Sequence, residues 1–283
     1  MIQESTLYVV ATPIGNLRDI SLRALDVLMA VDVIAAEDTR NSRKLLVHHS
    51  ITKKMIALHQ HNERAASKKI LGLLEAGKSV AYITDVGTPG ISDPGAILVN
   101  LVREKYCVVP VPGANAALCA LSAAGISTAH FLFYGFLPAS KGTRRRKLEE
   151  IKSSPYVLVF YEAPHRILDC IKDLSEILGA DREITIGREL TKLFETIHTC
   201  SLGDALVWLN ADTNQQRGEF VLIVAGAEVP DKSRISNQAE HTLKLLLKEL
   251  PLKQAVKLTS DITNENKNQL YKMALLLKEG EGN

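Results

Sequence analysis

Short apolar runs alternate with amphipathic stretches along most of the chain. Leu7–Ala11, Val33–Ala36, Met55–Leu58, Val80–Ile83 and Cys107–Val111 read as buried strands, since brief apolar runs bounded by turn formers suit strands covered on both faces. Between them the 3.6-residue period predicts helices through Leu22, Leu25 and Leu28, with Asp19 or Ser21 as cap, and over Glu63–Ala76, Ala96–Glu104 and Ala116–Ala124. Strictly alternating strands and helices imply parallel βα units with right-handed crossovers. After Gly125–His130 the pattern restarts with strands at Phe131–Gly135, Tyr156–Tyr161, Glu183–Arg188, Phe194–Ser201 and Phe220–Ala225. Their connections vary in length, which predicts a mixed sheet. Residues 228–238 are polar and carry Pro230, so they read as a linker to a Lys- and Leu-rich helical tail over His241–Leu250, Lys253–Thr259 and Lys267–Leu277. The expected organisation is an α/β protein: a parallel-sheet domain over 1–125, a mixed-sheet domain over 126–227, and a linker with helical tail over 228–283.

The polar positions concentrate where strands end. Val80–Ile83 runs into TDVGTPGISD, which holds Asp85, Gly87, Thr88, Gly90, Ser92 and Asp93. In parallel sheets ligands sit beyond the carboxyl ends of strands; the loop is long and polar for a mere turn, so it is the first candidate site. The first strand ends in TPIGNL, with Pro13 and Gly15, and the fifth in PGAN, ahead of the small-residue helix. Glu37-Asp38-Thr39-Arg40 closes the second strand, equally suited to a polar cluster and to a helix N-cap. Gly72–Ser79 matches the phosphate-loop pattern GxxxxGK[ST]. That loop needs a strand before it and a helix after it; here the order is reversed, with Gly77 ending a helix, and an ATPase reading fails. In the second half, Lys141-Gly-Thr-Arg144-Arg145-Arg146-Lys147 is the densest basic run and a candidate phosphate contact. His165 and Arg166 follow a strand end and can face a cleft.

Composition narrows the partners. The formal charge is +2 over 283 residues, so any nucleic-acid contact must come from local patches. Cys107, Cys119, Cys170 and Cys200 are scattered, and His48-His49 and His59-x-His61 lack matching acid or thiol spacing, so neither a disulfide framework nor a metal site is expected. Without a signal layout or a membrane-length apolar run, a cytoplasmic protein is expected.

TPIGNLRDIS, AAEDTRNSRKLL, TDVGTPGISDPG, VPGANAALCALSAAG, FYGFLP, FYEAPHRI, GRELTKLFET and GEFVLIVAG occur in that order over residues 7–226. Together they resemble the tetrapyrrole-methylase superfamily of S-adenosylmethionine enzymes, and within it the branch that methylates the ribose 2′-hydroxyl of a cytidine in the decoding region of 16S rRNA. The tail QAVKLTSDITNENKNQLYKMAL is similar to that branch too. Thr84 and Val86 depart from the pattern, standing where Ser and Ala are expected. The resemblance implies two α/β domains with S-adenosylmethionine in the cleft between them, a homodimer, and 16S rRNA or the small ribosomal subunit as partner. Donor contacts carry over onto Pro13, Gly15, Asp85, Gly87, Thr88, Ser92, Asp93, Asn115 and Ala116, with Tyr161, Ala163 and Leu190 from the second domain. Glu37, Asp38, His165 and Glu195 are candidates for an acceptor base, and Lys141, Arg144, Arg145, Arg146, Lys147 and Arg166 for RNA contacts. The rivals are a tetrapyrrole or other small-molecule acceptor on the same scaffold, and a non-catalytic RNA-binding protein.

Overall fold

The structure, a computed structural model, describes residues 2–126, 130–227, 235 and 237–280. The chain divides into two compact units, Met1–Ala227 and Glu228–Asn283. Part of the Gly125–His130 boundary (127–129) and most of the expected linker (228–234 and 236) lie outside the described residues.

The first unit contains two five-stranded sheets. The first is wholly parallel in the order β3-β2-β4-β1-β5, with β1 at Thr6–Val10, β2 at Val33–Ala36, β3 at Lys54–Ala57, β4 at Val80–Ile83 and β5 at Cys107–Val111. Alternation of side chains across the sheet splits its core in two. Tyr8, Val10, Ile34, Ala36, Ala81 and Ile83 face helices α1 (Leu22–Ala30) and α2 (Thr39–His48). Leu7, Val33, Ala35, Val80 and Tyr82 face α3 (Glu63–Glu75) and α4 (Ala96–Val102). The connection after β1 carries the chain toward β2 and the one after β4 carries it toward β5. The adjacent central strands β1 and β4 therefore send their loops to opposite faces. Such a switch point opens a crevice at the strand tips. Caps fix where helices start: Ser21 Oγ accepts from Ala24 N at 3.1 Å, a device worth ~1 kcal/mol.

α5 (Ala116–Ala123) leaves the first sheet and packs on the second. Its Ala117 and Ala120 join Val157, Val159, Val221 and Ile223 in one apolar cluster. The second sheet runs β6-β7-β10-β8-β9, with β6 at Phe131–Phe136, β7 at Val157–Glu162, β8 at Glu183–Arg188, β9 at Thr196–Ser201 and β10 at Phe220–Val224. Only β6 and β7 pair in parallel; the other pairs are antiparallel, so the expected mixed sheet is present. Its far face is covered by α6 (Lys141–Ile151), α7 (Ile167–Leu178) and α8 (Leu202–Ala211) around Phe160, Leu174 and Leu222. The second unit is a helical triplet, α9 (Asn237–Glu249), α10 (Leu252–Thr263) and α11 (Lys267–Gly280), around Leu243, Val256 and Leu270.

Around Gly77 the helix-then-strand order holds. Gly77 sits at φ +77° and Lys78 N donates to Leu73 O at 2.9 Å, so the stretch is a helix stop and not a phosphate loop.

Candidate active site

Loops at the tips of β1, β4 and β5 are tied to one another by short hydrogen bonds. Thr12 N donates to Gly87 O at 2.9 Å and Gly87 N to Thr12 O at 3.2 Å. Thr88 Oγ1 donates to Ala114 O at 3.0 Å. Gly87 lies at φ +80° with Ile14 Cγ2 only 3.3 Å from where a Cβ would stand, so a side chain here is strained and crowded. On the other side, Ser92 at φ +62° abuts β6. β6 carries a register shift between Phe133 and Gly135, and a Cβ on Gly135 would fall 2.6 Å from Ser92 Oγ. The bulge makes room for the loop of the first sheet.

These loops and the tips of β7 and β10 enclose a cleft of about 610 Å³, within the size range of small-molecule sites. Ile14, Ala116, Phe220 and Val221 supply apolar wall, and Glu37, Asp85 and Asp93 supply acid. Asp85 is held from two directions: its carboxylate accepts from Asp38 N at 3.1 Å and from Asn41 Nδ2 at 3.0 Å. Asp93 is pushed up to about 7, chiefly by burial and further by the neighbouring charges of Glu37 and Asp85. Burial raises Glu37 as well, against a backbone hydrogen bond from Asp85 N that lowers it. Tyr161 accepts from Ala117 N at 3.2 Å, pinning the start of α5 to the second sheet, while Asn115 caps that helix through Leu118 N at 3.1 Å. Lys192, the cation in the lining, is neutralised by Glu189 and Glu219, each at 2.8 Å. The cleft thus offers a net-acidic, partly apolar surface suited to an organic cation.

A sequence model of the tetrapyrrole (corrin/porphyrin) methylases matches residues 6–206, and one of the RsmI C-terminal HTH domain matches residues 234–278. The ribosomal RNA small subunit methyltransferase I of Pseudomonas aeruginosa is 48% identical over 275 residues, covering 95% of this chain and 96% of that protein. The chain belongs to that methyltransferase family. The Escherichia coli O157:H7 member is 47% identical, covering 96% of this chain and 95% of its own. Among solved structures, a cobalt precorrin-4 methyltransferase superposes with TM-score 0.57 at 16% identity, covering 78% of this chain and 95% of that one. A uroporphyrin-III C-methyltransferase from Thermus thermophilus, complexed with S-adenyl homocysteine, gives 0.56 at 16%, covering 78% and 97%. At that identity the likeness is one of fold.

Against this family frame, the sequence-derived site residues separate cleanly. Asp85, Gly87, Thr88, Ser92, Asp93, Asn115, Ala116, Tyr161, Ala163 and Leu190 all line the cleft. Pro13 and Gly15 do not: Ile14 between them supplies the wall. Gly15 instead lets its loop pass against residues 190–192, since a Cβ would meet Lys192 Cγ at 2.5 Å and Leu190 O at 3.0 Å. Of the candidate bases, only Glu37 lines the cleft. Asp38 is the N-cap of α2, accepting from Arg40 N at 2.8 Å and pairing with its guanidinium. His165 is exposed in the short turn Pro164–Arg166, and Glu195 is exposed and accepts from Thr191 N within its own loop.

Within the basic run one residue is corrected. Arg144 is 4% exposed and bound to Asp173, itself 1% exposed, at 2.6 Å, so it closes the core under α6 and cannot meet RNA. Arg145 pairs with Asp173 and Glu176, and Lys147 with Glu150. Arg166 pairs with buried Glu162 at 3.1 Å and donates to Leu137 O. Lys141 and Arg146 remain exposed. The sequence reading missed Asn41, Phe136, Lys192 and Glu219 in the lining. Asn41 had a signal: it stands in the first turn of α2, just beyond the acidic pair that ends the second strand. Among the described residues no group of His, Cys, Asp or Glu is arranged to hold a metal, and no helix is long and apolar enough to cross a membrane.

Proposed function

We propose that the protein transfers a methyl group from S-adenosylmethionine to the ribose 2′-hydroxyl of a cytidine in 16S rRNA, within or on the way to the small ribosomal subunit. The observation that carries this reading is identity near one half with ribosomal RNA small subunit methyltransferase I over almost the full length of both chains. The cleft supports the donor. A sulfonium is a cation, and Glu37, Asp85 and Asp93 give it carboxylates where burial strengthens their attraction. The apolar wall at Ile14, Ala116 and Val221 suits a flat base, and among the described residues the cleft lining holds no unpaired cation to grip phosphate, which this donor does not carry.

When bound, the donor supplies an activated methyl carbon. The protein's own task is alignment: the acceptor oxygen must lie in line with that carbon and its leaving sulfur, and such positioning supplies ~7–11 kcal/mol in the best intramolecular cases. Asp85, fixed by Asp38 N and Asn41, is the rigid acid that orients the donor. Glu37, raised by burial, is placed to accept the hydrogen of the incoming hydroxyl as charge leaves it. The homodimer and the cytoplasmic setting belong to the same reading; Leu193 and Phe194, highly exposed on the loop after β8, provide apolar surface for self-association.

The test offers tritiated donor together with small subunits from cells lacking the protein, and maps ribose methylation by mass. A single 2′-O-methylcytidine is expected. Transfer to uroporphyrinogen in place of rRNA, or no donor uptake at all, overturns the assignment.

A further inference from the structure

In the basic run that dominates the sequence, Arg144, Arg145 and Lys147 are each ion-paired within α6 and α7 or along α6, while Lys141 and Arg146 stay exposed. A different helix holds cations without partners. α2 contains no acidic residue. Its buried side is Ser42, Leu45 and Leu46, and its exposed side presents Arg40, Arg43, Lys44 and His48. Spacings of three, four and eight residues put these groups on one face. Arg40 is held by Asp38 at 2.9 Å, whereas Arg43 and Lys44 have no ion pair or side-chain hydrogen bond among the described residues.

The position of this face matters as much as its charge. The first turn of α2 is part of the cleft: Asn41 lines it and donates to Asp85, and Asp38 N donates to the same carboxylate. A chain of phosphates laid on α2 is therefore led to the acid that orients the donor. We infer that the Arg43–Lys44 face of α2 grips the phosphate backbone of the RNA strand flanking the methylated nucleotide. This rests on the rRNA-methyltransferase reading and adds to it the surface that presents the acceptor. Phosphate contacts fix register and carry no sequence information, so the face positions the ribose without choosing the base.

The test compares full-length wild type, R43E/K44E, and a control reversal K68E/K69E on exposed α3, across the sheet from α2. Each is titrated with small-subunit rRNA at several salt concentrations, with donor affinity measured in parallel by calorimetry. R43E/K44E is expected to lose at least tenfold in RNA affinity and to flatten the slope of log K against log salt by about 1.5, the value for two lost phosphate contacts. Donor affinity should stay within twofold of wild type, showing that the cleft is intact, and K68E/K69E should match wild type in both. If R43E/K44E keeps wild-type RNA affinity and salt slope, or the control loses as much, the surface is wrong and the function stands. Wild type that takes up donor but ignores rRNA overturns both.

Discussion

Asp93 shows how one side chain makes this cleft pH-sensitive. Its carboxyl titrates at about 7 because burial and the charges of Glu37 and Asp85 oppose its ionisation. Below that value it is neutral; above it, a further negative charge faces the cleft. Donor affinity should therefore rise as pH passes from 6 to 8, and the rise should vanish in Asp93→Asn, both by calorimetry. Stability should move the other way. Between the unfolded value near 3.8 and 7 the folded state binds the extra proton, so stability attributable to Asp93 falls as pH rises through that window. Asp85 differs because two donors already satisfy its carboxylate. Asp85→Ala removes a hydrogen bond to a charged group, worth about 1.5–3 kcal/mol, and should weaken donor binding by roughly ten- to a hundredfold. Unchanged affinity would detach the loop from the donor.

At the scale of elements, the sequence revealed most of the frame and its charge pattern misled. Strands such as Val33–Ala36, Val80–Ile83 and Glu183–Arg188 were readable to the residue, because apolar runs closed by Gly, Pro or acid admit one interpretation. The β4 loop was legible for the same reason. Ion pairs were not, because Arg144 and Asp173 lie on different helices and nothing in local spacing joins them. Lys192 and Glu219 were hidden likewise, brought to the cleft by the crossing of separate loops. The Arg144–Asp173 pair is a strut: Asp173→Ala leaves a buried guanidinium uncompensated and should cost about 3–5 kcal/mol in chemical denaturation. Gly135→Ala tests the bulge. A Cβ there is strained at φ +75° and collides with Ser92, so about 1–3 kcal/mol of stability should be lost, with donor affinity falling because Asp93 adjoins Ser92.

For the whole molecule, the lone tryptophan is a convenient reporter. Trp208 stacks on His198 with ring centroids 4.3 Å apart, inside the first unit. Its fluorescence follows that unit alone, while circular dichroism also sees the helical triplet. Saturating donor should raise the midpoint of the tryptophan-detected transition, since a ligand stabilises what it binds, and leave the remaining helical transition in place. Both shifting together would mean that the two units melt as one. A last consequence comes from α5, which begins at one sheet and is anchored by Tyr161 and an apolar cluster on the other. That wedge bolts the two sheets together at the mouth of the cleft. If the acceptor is an rRNA ribose, as proposed, a nucleotide already splayed from its neighbours should be methylated faster than one held in a paired helix, which transfer assays on single-stranded and duplexed RNA check.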